Sequence, residues 1–402
     1  MRIWADVYDA SGNRLGDGPV SSITNLSITR ALDRAGSFKL SAPLTDRRAF
    51  ELLTNKRRVH IFEQHGTNPK RELLRGIIER RSSRDSAGSW TLSADGVDIL
   101  QELTFRNTLL ARKFDAMPVE SVVDFLLAFT PGWSRSGTAT NLVSTRFDGV
   151  SIFKALKTLI AQQSLHFRMS TPNEVEIGLF GDSNGLRIMN AAQMNHELYM
   201  QSNILLVENM TLVEDSEDIV NWLLPLGAGR GDAILTLEKS TRGSLYPSAI
   251  APFPIGMATM GDGRSIPYIH DPTSLALNGT IQFTGTFKNI APISNSEADQ
   301  IAAANALYDA AAASLKRSKD KYDSYSITCR KIDQNLYPGD KIHVRYEGFI
   351  VNAQGEVVDY RDINGDFWIL DVSETYGGSG NQIRMTIASV DRYEMDMMEV
   401  VL

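Results

Sequence analysis

The sequence predicts a mainly β protein with an inserted α+β part: two small β-barrels, separated by a compact α+β segment and accompanied by a loop-rich insertion. Three observations predict it. Short runs of alternating apolar and polar residues fill both ends of the 402-residue chain, which is the period-2 signature of half-buried strands. The pattern changes to helical spacing at about Asn107. A long alanine-rich stretch stands just before the C-terminal strands and reads as one extended helix.

At the start, Trp4-Ala5-Asp6-Val7-Tyr8 alternates and Asp9 to Arg14 is a turn. Residues 20–30 alternate again through Ile23, Leu26 and Ile28, and residues 37–42 form a short strand ended by Pro43. Residues 49–55 predict a helical turn, and residues 58–62 and 72–79 a pair of strands. A turn at Arg80-Arg81-Ser82-Ser83-Arg84 leads to a strand over 89–94, and residues 96–103 predict a short helix. Strands this short, with turns between them, make a small closed or nearly closed barrel.

Beyond Asn107, residues 117–129 place apolar side chains at helical spacing, with Pro118 near the N-terminus and Pro131-Gly132 as the stop. Residues 151–163 form a second amphipathic helix, and residues 165–169 and 174–179 a hairpin around Thr171-Pro172-Asn173. This α+β segment ends near Met200. Strands resume over 203–213 and 219–226, and Gly227 to Gly231 turns the chain into a strand over 233–237. Residues 240–295 are rich in Pro and Gly and read as a loop-heavy insertion, with one strand near 280–287. Ser294-Asn295-Ser296-Glu297 has the spacing of a capping box and opens the Ala-rich helix, which runs to about Tyr322.

The last third is an antiparallel meander. Residues 326–332 and 341–346 alternate around Pro338-Gly339-Asp340, where Pro presets φ and Gly accepts positive φ. Further strands are predicted over 355–360, 367–375 and 382–390, with Asn364-Gly365 as a two-residue hairpin turn. Barrel-like patterning thus occurs at both ends, which points to an approximate internal duplication.

With 43% apolar and 22% charged residues, the chain can bury real cores. The formal net charge is -7, which argues against a protein held to nucleic acid by phosphate contacts. The charge is uneven: residues 1–113 hold 19 Lys and Arg against 13 Asp and Glu, and the remainder is strongly acidic. The single cysteine, Cys329, forms no internal disulfide and reads as a buried small hydrophobe. Met1-Arg2-Ile3-Trp4-Ala5-Asp6 turns polar at once, so no signal peptide is expected, and no apolar run reaches membrane-span length.

Candidate chemistry is sparse. Gly227, Gly229 and Gly231 follow a strand, but their spacing is not that of a dinucleotide loop and no helix N-terminus follows, so a hairpin turn is expected. Asp362, Asn364 and Asp366 match the first oxygen ligands of a calcium loop, without its Gly or distal Glu, and an Asx-rich hairpin tip explains them better. His60, His65, His166, His196, His270 and His343 form no zinc-binding pattern. No nucleophile elbow occurs. A carboxylate pair for glycoside hydrolysis is a matter of spatial rather than sequence spacing, and no cleft-forming core surrounds one. Arg80, Arg81 and Arg84 lack interleaved aromatics, which favours a solvated or subunit-facing hairpin over a nucleic-acid contact. No catalytic, cofactor-binding or metal residue is therefore assigned.

Several runs carry a resemblance: Leu26-Ser27-Ile28-Thr29-Arg30-Ala31-Leu32-Asp33-Arg34-Ala35-Gly36-Ser37-Phe38, then Arg75-Gly76-Ile77-Ile78 and Leu92-Ser93-Ala94-Asp95-Gly96, and later Asn221-Trp222-Leu223-Leu224-Pro225-Leu226-Gly227 and Leu336-Tyr337-Pro338-Gly339-Asp340. In this order the chain resembles the baseplate-hub or tail-tip proteins of tailed phages. The resemblance implies two tail-tube-like β-barrel domains, the first over 1–106 and the second over 203–239 plus 318–402. A small α+β domain would span 107–202, and the insertion with the Ala-rich helix 240–317. It further implies a homotrimer that adapts a sixfold tail tube to a threefold tip and forms the DNA exit channel. Its partners would be distal tail or tail-tube proteins, the tape measure protein and a central fibre or tip protein, in a virion assembled in the host cytoplasm. No cofactor, sequence-specific nucleic acid or membrane span is implied. Because the chain ends soon after the meander, a hub without enzymatic activity is expected. The competing readings are a spike-base protein of a contractile injection system, a cell-wall-degrading or carbohydrate-active tail enzyme, and a host-surface binding module built on 240–295.

Overall fold

A computed structural model of the chain describes residues 2–389, except 65, 87–88, 109–111, 191–202, 216–218, 231–232, 243–251, 260–262, 321, 331–335, 352–353, 355 and 378–380. Its largest element is a twelve-stranded sheet that curls into two barrels.

The first barrel holds β1 (Arg2–Tyr8), β2 (Asn25–Ala31), β3 (Ser37–Pro43), β4 (Arg58–Gln64), β5 (Arg71–Ser86) and β6 (Ser89–Asp98). Around it the strands run β1-β4-β5-β6-β3-β2. The Ala5–Val20 bridge ties β1 back to the segment entering β2. Alternation puts Leu26, Ile28, Leu40, Ile61, Ile78 and Leu92 inside, each 1% exposed or less. A helix, α1 (Arg47–Leu52), is capped by Asp46, whose carboxylate accepts the Arg48 and Ala49 N–H groups. The turn expected at Arg80 to Arg84 is absent: β5 continues to Ser86, pairing residue for residue with β6, so cross-strand pairing overrides a locally polar run. The helix expected over 96–103 begins later. Residues to Asp98 stay in β6, and a 3-10 turn follows over Ile99–Thr104.

The α+β part contains β7 (Arg112–Pro118), α2 (Val119–Leu127), β8 (Ser134–Ser136), β9 (Leu142–Phe147), α3 (Ile152–Gln162), β10 (His166–Thr171) and β11 (Glu174–Gly178). Ser151 caps α3 through the Lys154 N–H. Both helices bury one face, with Val122, Val123, Leu126, Leu156 and Leu159 fully enclosed. Met117 and Pro118 end a strand instead of opening the helix, and β7, β8 and β9 were not legible as strands.

The second barrel holds β12 (Ser183–Met189), β13 (Ile204–Asp215), β18 (Tyr322–Arg330), β19 (Lys341–Val351), β20 (Val357–Gly377) and β21 (Gln382–Ala388). The order around it is β12-β19-β20-β21-β18-β13, closed by pairing of β12 with β13. Numbered along the chain, both barrels read first, fourth, fifth, sixth, third, second. They differ in direction, since β12 runs parallel to its neighbours whereas β1 runs antiparallel to β4, and in closure, since β12 pairs with β13 whereas β1 is bridged to Val20 ahead of β2. Sequence reasoning grouped residues 183–189 with the α+β part, but hydrogen bonding places them here.

β20 overturns the hairpin expected at Asn364-Gly365. Both residues lie inside the strand, paired with Arg345 and Val344 of β19. A favourable turn dipeptide yields where ladder bonds extend on both sides of it. The C-terminal half of β20 then pairs with β21 on one side and β2 on the other, which joins the two barrels.

The region expected to be loop-heavy contains a second small sheet, ordered β15-β16-β14-β17. It is built from β14 (Trp222–Leu226), β15 (Ile255–Thr259), β16 (Ser265–His270) and β17 (Gln282–Thr286), with a short helix α4 (Pro272–Asn278). β14 joins this sheet and not the second barrel, and residues 233–236 form no strand. The sheet packs on α5 (Glu297–Ser318), whose alanines allow close approach. Tyr308, fully buried, donates its O–H to the Phe253 carbonyl (2.6 Å). The α5 cap is Ser296, which accepts the Asp299 N–H, so the expected Ser294–Glu297 box lies two residues out of register.

Candidate functional site

The residues that matter most join the barrels to each other. β2 and β20 meet antiparallel, Asn25 opposite Gly377 through Ala31 opposite Asp371. Across this seam Arg30 Nη1 donates to Glu374 Oε1 (2.7 Å) and Arg30 Nη2 to the Leu73 carbonyl (2.9 Å). The Tyr376 O–H donates to the other Glu374 oxygen (2.5 Å), and the Thr29 and Ser373 hydroxyls bond at 3.0 Å. Glu374 is only 2% exposed, so its charge depends on Arg30. Burial, with Glu374 beside it, raises the Tyr376 phenol pKa.

Two further clamps hold the α+β part against the barrels. Asp33, with a left-handed φ of 58°, accepts the Phe167 N–H (2.8 Å) and pairs with His166 Nδ1 (2.6 Å). Arg168 reaches the turn before β19: Nη1 donates to the Pro338 carbonyl (2.9 Å) and to Asp340 (2.6 Å), and Nε to Glu176 (2.7 Å). Its guanidinium also lies over Phe180, 4.3 Å from the ring centroid. Burial opposes this charge, but Glu176 and Asp340 outweigh burial and raise the Arg168 pKa. Nearby, the Asp98 carboxylate accepts the Gly36 and Leu100 N–H groups. Burial pushes its pKa up to about 6.

A cavity of about 70 Å³ lies where Arg30, Arg75, Asp98, Arg168 and Tyr337 converge. Small-molecule sites need roughly 300 Å³ or more. The arginines that line it are engaged: Arg75 with Glu72 and Asn173, Arg34 with Asp371, Arg71 with Glu63, and Arg30 and Arg168 as above.

The sequence-predicted candidates are dispersed. Asp362, Asn364 and Asp366 alternate along one extended strand opposite Glu347, Arg345 and His343. At ~3.3 Å per residue the outer pair stands about 13 Å apart along the strand, too far to share one ion. They do not form a hairpin tip either. Among the described residues no group of three or more His, Cys, Asp or Glu could hold a metal ion. His343 pairs with Asp366 (2.9 Å), His60 lies against Tyr8 with the rings tilted by 32°, and His270 lies in β16, while His65 and His196 fall outside the described residues. Gly227 donates to the Leu235 carbonyl and Leu235 to that of Ala228, so this loop is a turn, with Gly231 and Asp232 outside the described residues. Cys329 is fully buried, and its thiol is pushed up to about 12, far from a nucleophile's range.

Sequence reasoning missed the residues that join the modules, Arg30, Glu374, Asp33 and Arg168, because a cross-barrel pair leaves no local spacing. Arg80, Arg81 and Arg84 were singled out, and the structure sets them on the outer stretch of β5.

No family model matches the chain, and no curated protein matches it in sequence. Solved structures do match its fold. A tail protein from Neisseria meningitidis aligns at 15% identity over 97% of both chains, with a TM-score of 0.55. A prophage MuSo2 tail protein from Shewanella oneidensis aligns at 10% identity over 96% of this chain and 98% of its own, with a TM-score of 0.59. A prophage tail protein from Listeria monocytogenes aligns at 10% identity over 100% of this chain and 98% of its own, with a TM-score of 0.54. The fold of these tail proteins thus extends over nearly the whole chain.

Proposed function

We propose that the chain is a structural component of a phage-type tail, and specifically its hub. Three copies would form a ring of six barrels that adapts a sixfold tube to a threefold tip and encloses the DNA exit channel. The observation that carries this reading is the repetition of one barrel, strand order for strand order, within a single chain. Two like barrels per subunit let a threefold ring present six similar faces.

The clamps support the reading, because such a ring needs fixed barrels. Arg30–Glu374, Asp33–His166 and Arg168–Asp340 pin both barrels and the α+β part together. Tail-tube or distal tail proteins would stack on one face, and the tape measure protein and a central tip protein would occupy the axis. The role is non-enzymatic and its site the virion tail tip, after assembly in the host cytoplasm. Light scattering with negative-stain imaging tests it. Three-copy rings with a six-lobed outline are expected, and a monomer that clears cell-wall material in a zymogram would replace the reading with a tail enzyme.

A further inference from the structure

We propose that successive copies join by strand addition, with β13 of one copy pairing antiparallel to the outer half of β5 of the next, Asn209 opposite Ser86 through Asp215 opposite Arg80. The inference deepens the hub reading and rests on it for the number of copies.

It starts from two strand edges. β4 pairs with β5 only as far as Ile77, and the Ile78 N–H and carbonyl complete that ladder through Arg57 and Lys56. From Arg80 to Ser86, β5 has β6 on one side and, among the described residues, no strand on the other. β13 pairs with β12 only over Ile204 to Leu206. Beyond that it has β18 on one side and, among the described residues, no strand on the other. Long unpaired edges are a liability that assemblies cover.

The internal repeat says what covers them. In each barrel the fifth strand carries a register shift against the sixth, at Glu79 in β5 and at Leu370 in β20. Aligned on that shift, Arg80 to Ser86 correspond to Asp371 to Gly377. The latter stretch is the part of β20 whose outer edge is filled by β2, the second strand of the other barrel. The second strand of the second barrel is β13. Pairing with the third strand equates Asn25 with Asn209, since Ser41 and Thr328 oppose them at equivalent points of the barrels. The second and fifth strands lie on opposite sides of each six-strand circuit. One chain therefore uses one edge of each kind internally and leaves one of each kind at opposite ends. That is a head-to-tail contact, which closes into a ring when the rotation allows.

Charge agrees with the transferred register. Glu214 falls opposite Arg81 and Asp215 opposite Arg80. In the equivalent rows of the internal seam Arg30 stands opposite Val372 and Ala31 opposite Asp371, and Arg30 reaches Glu374 two residues along β20, so a base on the second strand meets an acid on the fifth with the polarity reversed. The wider asymmetry matches too, with a basic N-terminal third meeting an acidic remainder.

The test uses the full chain. Leu212→Cys with Ser83→Cys sets two thiols opposite each other across the contact, and Leu212→Cys with Arg80→Cys is the mismatched control. Under mild oxidation the matched pair is expected to give covalent multimers on a non-reducing gel, at least tenfold above the control. Arg81→Glu is expected to weaken association at least tenfold by light scattering, and adding Glu214→Arg to restore it. Multimers in light scattering with no excess cross-linking in the matched pair would overturn the strand pairing and leave the ring standing. A chain that stays monomeric and unlinked at every concentration would overturn both.

Discussion

Lys56 and Gly339 occupy the same place in the two barrels. Each has a left-handed φ, 67° and 94°, and each ends a turn before the fourth strand. Each donates its N–H to an isoleucine of the fifth strand, Lys56 to the Ile78 carbonyl and Gly339 to that of Ile369. Each isoleucine returns a bond to the following residue, Arg57 or Asp340. The shared bonds show that the barrels repeat in detail and not only in strand order.

The two positions respond oppositely to substitution. Gly339→Ala strains the backbone and brings its Cβ to 2.8 Å from Phe180, so a loss of roughly 1–3 kcal/mol is expected. Lys56→Gly relieves a left-handed lysine and is expected to be neutral or stabilising by less than about 1 kcal/mol. Urea denaturation of both variants checks the contrast.

At the seam, Arg30→Met leaves the buried Glu374 carboxylate without its counter-charge. A loss of about 3 kcal/mol is expected, with at least half recovered when Glu374→Gln is added. A double-mutant cycle in urea measures the coupling.

Asp98 makes stability depend on pH. Burial raises its folded pKa from the ordinary 3.8 to about 6, so around pH 5 the folded state holds a proton that the unfolded state has released. The contribution is complete below about pH 4 and is lost as pH rises through 6, about 3 kcal/mol in all. Asp98→Asn does not titrate, so the stability of the natural chain relative to this variant is expected to fall between pH 4 and pH 6. Thermal midpoints of both proteins across that range show it.

The strand bearing Asp362, Asn364 and Asp366 cannot gather its oxygens around one ion. Calcium and EDTA are each expected to leave the thermal midpoint within about 1 °C of its starting value, since a ligand that binds the folded state would raise it. A calcium-dependent rise abolished by Asp366→Asn would contradict this.

Much of the fold was legible because alternation reports strands wherever one face is buried. β1 to β4 and the β10–β11 hairpin follow their patterns closely. Failures occurred where long-range pairing overrode local chemistry. Asn364-Gly365 is a favourable turn pair, yet β19 bonds straight across it. Arg80 to Arg84 is polar enough for a loop, yet β6 holds it extended. β14 and β17 were legible as strands, but not their place in a separate sheet, and β15 and β16 were obscured because short strands interrupted by Pro and Gly show little periodicity. The seam residues were invisible for a different reason: Arg30 and Glu374 stand 344 positions apart, and only the fold brings them into contact.

The central claim is that one chain supplies two equivalent barrels to a closed ring, and the mass in solution tests it most directly. Light scattering across a wide concentration range should converge on three times the 44.5 kDa chain mass and stop there. A mass that stays at one chain, or that grows without limit as open filaments would, contradicts it.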